Sequence, residues 1–121
     1  MVESVGVDIV EVDRIQGAVR RWGKNFLKRV FTPGEIEYCM AQRHRYTSLA
    51  ARFAAKEAVS KAIGPEMGIS WTDVEIVNSH SGKPEVKVRG KAAEATTGKK
   101  ILLSLSHTQS YAVAVAVLRR N

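Results

Sequence analysis

The chain has 121 residues, 45% of them hydrophobic, and carries 19 Lys and Arg against 12 Asp and Glu, a formal charge of +7. That is one domain's worth of sequence, with a bias toward anionic partners such as nucleic acid, an acidic protein or a phosphorylated cofactor. Cys39 is the only cysteine, which excludes an intrachain disulfide and a thiolate zinc cluster and fits a reducing cytoplasm.

No stretch reaches the ~20 apolar residues of a membrane span. Glu3 and Asp8 stand where a signal peptide would be basic and then apolar. A soluble cytoplasmic protein is expected. Without repeats, low-complexity tracts or a Pro/Ser-rich linker, residues 1–121 read as a single domain.

In chain order, Val5-Gly6-Val7-Asp8-Ile9-Val10 has the β-branched composition and short length of a buried strand, in which Asp8 shares a face with Gly6 and Val10. Asp13 is a plausible N-cap for a helix whose buried stripe is Ile15, Val19, Trp22, Phe26 and Val30, with Gly23 loosening or ending it midway. Arg14, Arg21, Lys24 and Lys28 fall on another side. Thr32-Pro33-Gly34-Glu35 combines a capping Thr, a proline at the first helical position and a Glu three residues after the cap, a strong helix start. The helix carries Ile36, Tyr38, Cys39 and Met40.

A polar break at Gln42-Arg43-His44-Arg45 precedes an alanine-rich helix that Gly64-Pro65 should stop. Trp71 to Val77 and Glu85 to Arg89 read as a hairpin around the Ser79–Pro84 turn, and a short helix is expected near Lys91 to Thr97. Two final strands, residues 101–106 and 111–117, are joined by His107-Thr108-Gln109-Ser110. The predicted class is α+β: an N-terminal strand, a group of helices and an antiparallel sheet.

Two carboxylates draw attention. Asp8 lies inside an apolar strand, where an ionised acid is costly to bury unless a cation or several donors meet it; a metal ligand and a carboxylate accepting backbone N–H bonds at the next turn are both open readings. On the alanine-rich helix, Phe53, Glu57, Ser60, Lys61 and Gly64 form one stripe. An exposed Glu57–Lys61 pair would stabilise by only roughly 0.3–0.5 kcal/mol, whereas the surrounding small residues suit close packing with the stripe left at a cleft. Together the two acids suggest a magnesium site facing phosphates. Near the C-terminus, Ser104, Ser106 and His107 could hold phosphate or ribose oxygens, or bond local backbone as turn residues. No Gly-x-Ser-x-Gly elbow surrounds either serine, which argues against a serine nucleophile.

Taken together, Gly6-Val7-Asp8-Ile9-Val10 with Asp13-Arg14-Ile15, Phe31-Thr32-Pro33-Gly34-Glu35, Arg52-Phe53-Ala54-Ala55-Lys56-Glu57-Ala58 with Lys61-Ala62, and Ser104-Leu105-Ser106-His107 resemble the bacterial holo-[acyl-carrier-protein] synthases, short-chain 4'-phosphopantetheinyl transferases. The resemblance covers nearly the whole chain and departs from the usual family pattern at Pro65-Glu66-Met67-Gly68. It implies transfer of the phosphopantetheine arm of coenzyme A to a serine of apo acyl carrier protein, with release of adenosine 3',5'-bisphosphate, in fatty acid biosynthesis.

It further implies Mg2+ held by Asp8 and Glu57, with Glu57 and Lys61 as the catalytic pair. Arg52, Lys56, Lys61, Gly64, Ser104, Ser106 and His107 become the coenzyme A set, although Lys56 is turned about 100° from Glu57 on the helix. Arg43 and Arg45 are either contacts for the 3'-phosphate or solvated charges. Glu57 and a water on the metal both remain candidate acceptors of the serine proton. Arg14, Arg21 and Lys24 would dock the acidic carrier, and a homotrimer with clefts between protomers is expected. A nucleic-acid module would explain the charge but needs an aromatic-and-basic motif that is absent, and an adaptor would not need Asp8 and Glu57.

Overall fold

The computed structural model describes residues 1–121. Strand β1 (Val2–Glu11) is followed by helices α1 (Val12–Trp22), α2 (Lys24–Val30), α3 (Pro33–Met40) and α4 (Arg45–Ile63). The rest comprises β2 (Val74–Asn78), β3 (Pro84–Val88), α5 (Gly90–Ala95), β4 (Lys99–His107) and β5 (Tyr111–Arg120). The antiparallel order β1-β5-β4 makes one sheet, and β2-β3 form a separate two-stranded hairpin. This is the α+β arrangement the sequence predicts.

Helix α4 crosses the inner face of the three-stranded sheet. Its Ala54, Ala55, Ala58 and Ala62 meet Ala112, Ala114 and Ala116 of β5, all buried in a core of 23 apolar residues. Alanine on both surfaces lets the helix axis come close to the strands. At Gly6 the approach is closer still: a methyl there would overlap the Ala58 carbonyl oxygen and lie 2.8 Å from the Ala62 nitrogen. The Ser4 hydroxyl also donates to the Ala62 carbonyl.

The expected capping box forms. Thr32 Oγ1 accepts from the Glu35 amide at 3.3 Å, and Glu35 Oε1 accepts from the Thr32 amide at 2.9 Å. Gly23, at φ 56° and ψ −131°, separates α1 from α2, a backbone setting that favours glycine. Gly64 ends α4 at φ 121°, and Pro65–Met67 follow as a 3-10 turn.

Four expectations need correction. Strand β1 is not buried on both faces: Gly6 and Val10 point inward, while Val7 is 54% and Ile9 64% exposed on a face nothing in the chain covers. Trp22 is not in the core but 56% exposed, with the Arg21 guanidinium 4.9 Å from its ring centre; Gly23 ends the helix one residue later, before the stripe can carry Trp22 inward. Asp13 is a first-turn residue, not the N-cap: Glu11 holds that position without a side-chain bond, and the first helical amide, Val12 N–H, donates to the Ser110 carbonyl at 2.8 Å. Trp71–Asp73 form a 3-10 turn closed by Ser70 and Asp73, so the hairpin strand starts only at Val74.

Candidate active site

Strand periodicity aims Asp8 toward α4, and helical periodicity aims Glu57 back toward β1. Both carboxylates line one cavity of about 340 Å³, with Arg14 of α1 at its side and Ile9, Phe26 and Phe53 among its apolar walls. One turn after Glu57, the Lys61 ammonium donates to Asp8 Oδ1 at 3.2 Å and to the Val7 carbonyl at 3.0 Å. Burial pushes the Glu57 carboxyl above its ordinary value of 4.5, and the negative charge of Asp8 adds to the rise while Lys61 opposes it.

A glutamate whose ionisation is opposed by burial and by a neighbouring aspartate, both in one half-buried cleft, fits a divalent cation, whose charge offsets that cost. They are hard oxygen donors, and magnesium commonly takes one or two carboxylates and completes its shell with waters and substrate phosphates. Sequence reasoning did not place Ile9, Phe26 and Phe53 on the cleft wall. For Phe53 the signal was present, since it shares the helical stripe of Glu57; for Ile9 and Phe26 the apolar pattern reads equally as core.

The remaining predicted residues divide between other surfaces. Arg52 and His107 line a second cavity of about 340 Å³, together with Arg43, His44, Tyr38 and Asn78. Arg52 is 94% buried by its 6% exposure, its guanidinium stands 4.3 Å over the Tyr38 ring, and its Nε has no partner. Five helical positions separate Arg52 from Glu57, a turn of roughly 140°, so α4 serves both cavities from different sides. Ser104 and Ser106 alternate with His107 along β4 and so face the opposite side of the sheet, opposite Val115 and Val113 of β5. They do not join His107 in one cluster within the chain. Gly64 lies at the end of α4, one turn beyond Lys61.

Lys56 does not reach the cleft, contrary to its place in the coenzyme A set. It is 2% exposed, and its ammonium donates to Glu35 Oε1 at 2.7 Å, to the Trp71 carbonyl at 3.0 Å and to the Val74 carbonyl. All three N–H donors are committed inside the protein. The one-residue offset from Glu57 turns it into the core.

Residues 4–116 match the family model described as the 4'-phosphopantetheinyl transferase superfamily. The chain belongs to that superfamily. A holo-[acyl-carrier-protein] synthase of Geotalea daltonii is 48% identical over 125 residues, covering 99% of this chain and 100% of that protein. One of Koribacter versatilis is 45% identical over 123 residues, covering 98% of each. Among solved structures, the synthase of Neisseria meningitidis superposes with a TM-score of 0.88 at 31% identity, over 99% of this chain and 100% of that one. The Helicobacter pylori synthase, solved in complex with coenzyme A, gives 0.83 at 32% identity, over 94% and 98% of the two chains. The transferase resemblance drawn from the motifs thus extends to the whole fold.

Proposed function

We infer that the chain is a holo-[acyl-carrier-protein] synthase: it moves the 4'-phosphopantetheine arm of coenzyme A onto a serine of apo acyl carrier protein and releases adenosine 3',5'-bisphosphate, serving fatty acid biosynthesis in the cytoplasm. The full-length likeness to holo-[acyl-carrier-protein] synthases supports the reaction. The single observation that carries the site assignment is the convergence of Asp8, Glu57 and Lys61 on one cleft beside α1.

The serine oxygen attacks the phosphorus that bears the pantetheine arm, and the bond to the bridging oxygen of the pyrophosphate breaks. Charge then grows on the departing bisphosphate, so positioning and neutralisation dominate catalysis. Asp8 and Glu57 would hold Mg2+ against the pyrophosphate, where the ion supplies charge neutralisation. Lys61 sits one turn from Glu57, close enough to share the neutralising role once it turns from Asp8 toward phosphate oxygens. Glu57, beside the site of attack, and a water held by the metal are the two groups placed to accept the serine proton. Phe26 and Phe53 would exclude water from the arm.

Carrier docking is assigned to α1 and the start of α2. Arg14 reaches the cleft itself, Arg21 at the end of α1 and Lys24 at the start of α2 are exposed, and Trp22 adds an exposed apolar surface between them in the chain. Acyl carrier proteins resemble small acidic bundles, and complementary charge would orient the encounter more than tighten it.

A homotrimer with active sites between protomers is supported by two features. The outer face of β1-β5-β4 exposes Val5, Val7, Ile9, Val115 and Leu102, an apolar area of the kind proteins keep for association. Arg52 and His107 of the coenzyme A set, with Arg43, line a cavity separate from the carboxylate cleft, so apposition of two protomers would let one subunit's basic cavity serve its neighbour's carboxylates. Ser104 and Ser106 lie on that same outer face, available to a neighbouring subunit's ligand.

The experiment is direct. Purified protein with apo carrier, coenzyme A and magnesium should yield a carrier heavier by one phosphopantetheine in a mass spectrum, and chelation of divalent ions should abolish the gain. An unmodified carrier would overturn the reaction, and modification undiminished by chelation would overturn the metal assignment.

A further inference from the structure

Beyond the cleft, the chain buries a second charged group that the transfer chemistry does not use. The Glu35–Lys56 pair has side-chain exposures of 0% and 1%. Both Glu35 oxygens are occupied: Oε1 accepts from the Thr32 amide at 2.9 Å and from Lys56 at 2.7 Å, and Oε2 accepts from the Ile76 amide at 2.8 Å. Through these bonds and those from Lys56 to the Trp71 and Val74 carbonyls, the pair ties α3, α4, β2 and the Trp71–Asp73 turn together. Thr32 Oγ1 also donates to Glu75 Oε2 at 2.5 Å, and Glu75 is paired with Arg89 at 3.2 Å, so the network reaches the solvent with its charges balanced.

Stability alone does not explain such a pair. Burying two charges costs several kcal/mol per ion by rough estimates, and a well-packed apolar pair is often as stable or more so. Directionality is what it adds. The core side of α4 is mostly alanine, and a smooth alanine surface offers little shape to resist roll of the helix about its axis. Three aimed hydrogen bonds on Lys56 resist it. Glu57 is the next residue, about 100° round the same helix, so the roll that Lys56 fixes is the roll that aims Glu57 at Asp8. A second link runs through Trp71, whose carbonyl Lys56 holds and whose ring stacks on Phe53 with centroids 5.0 Å apart. Phe53 in turn lines the carboxylate cavity.

We propose that Glu35 and Lys56 are positioning residues, a buried ion pair that sets the roll of α4 and thereby holds the Glu57 carboxylate and the Phe53 wall in register with Asp8. The inference rests on the metal assignment made above for Asp8 and Glu57.

The test is a paired replacement, Glu35→Leu with Lys56→Met, which removes both charges together so that neither is left buried without its counter-charge. Thermal melting reports the fold, and a Mn2+ titration followed by paramagnetic resonance, with coenzyme A present, reports the cleft. The expected result is a cooperatively folded protein whose Mn2+ affinity falls about tenfold, the lower end for loss of outer supporting contacts. Its kcat should drop at limiting magnesium and recover as magnesium is raised, with the KM for carrier unchanged. A folded double variant with unaltered Mn2+ affinity and an unaltered magnesium requirement overturns the proposal.

Should the double variant fail to fold, Glu35→Asp keeps both charges and shortens the tether by a single methylene. It should still weaken Mn2+ binding, and unchanged binding there overturns the proposal equally. Glu57→Gln run alongside separates the two levels. If it retains Mn2+ affinity, the metal assignment falls and this inference with it; if it loses affinity while the pair variants keep theirs, only the positioning role is overturned.

Discussion

Glu57 carries two consequences of one environment. Burial and the neighbouring Asp8 charge raise its carboxyl above the ordinary 4.5, so the folded state holds that proton more tightly than the unfolded chain does. The resulting stability is present below the unfolded value and is lost as pH rises through the raised folded value. At neutral pH the ionised group therefore costs stability, and Glu57→Gln should melt higher than wild type in chelator while losing transfer activity. The difference should vanish below about pH 4.5, where both states are protonated. Melting curves across a pH series check this, and a wild type at least as stable as the variant at neutral pH contradicts it. Asp8→Asn should likewise keep the fold and lose magnesium-dependent transfer, read by carrier mass gain at limiting magnesium. Both acids were legible in the sequence because each breaks a local pattern, one an apolar strand and the other an alanine run. Lys56 was not: a lysine beside a catalytic glutamate reads as part of the site, and only the three-dimensional position of Glu35 reveals that it points into the core.

At the scale of elements, the decisive contact is α4 against β1. Gly6→Ala would drive a methyl into the Ala58 carbonyl, and since backbone rather than a flexible side chain stands in the way, the helix itself must shift. A loss of about 1–3 kcal/mol or more in denaturant-measured stability is expected, as for overpacked cores, with activity falling further because Glu57 rides on the displaced helix. Normal stability would show that the two backbones part freely. Helix α1 makes a different prediction. Arg21→Glu should raise the carrier's KM severalfold and leave that of coenzyme A unchanged, with the difference shrinking in high salt; equal effects on both substrates would contradict the docking assignment. The helices were readable from their punctuation, Thr32-Pro33 at one start and Gly23 and Gly64 at two ends. Trp22 misled because the stripe i, i+3, i+4 assumes a helix that continues, and Gly23 stops it. The Trp71 turn misled because alternating polarity over three residues does not distinguish a 3-10 turn from a strand.

For the molecule as a whole, strand pairing divides the sheet into two unlike faces. Alanines of β5 meet α4 on one side, while Val115 with Val7 and Ile9 of β1 forms an uncovered apolar band on the other. Val7→Lys should break self-association without unfolding the protomer, because nothing within the chain packs on that position. For the proposed trimer, light scattering after size exclusion should report a drop in mass to that of the monomer, and an unchanged mass would remove this face as the interface. The antiparallel sheet was legible from composition, but its uncovered side was not, since an exposed valine and a valine facing the core are written with the same letter. One consequence follows for how β1 tolerates change in length. Asp8 and its neighbours Val7 and Ile9 serve opposite sides of a ribbon with a two-residue repeat, so a single inserted or deleted residue ahead of Asp8 would exchange their roles, turning the acid toward the apolar outer face and a valine toward the cleft of Glu57. The proposed chemistry and the proposed assembly would fail in the same stroke, and only changes by even numbers of residues would spare the strand's parity.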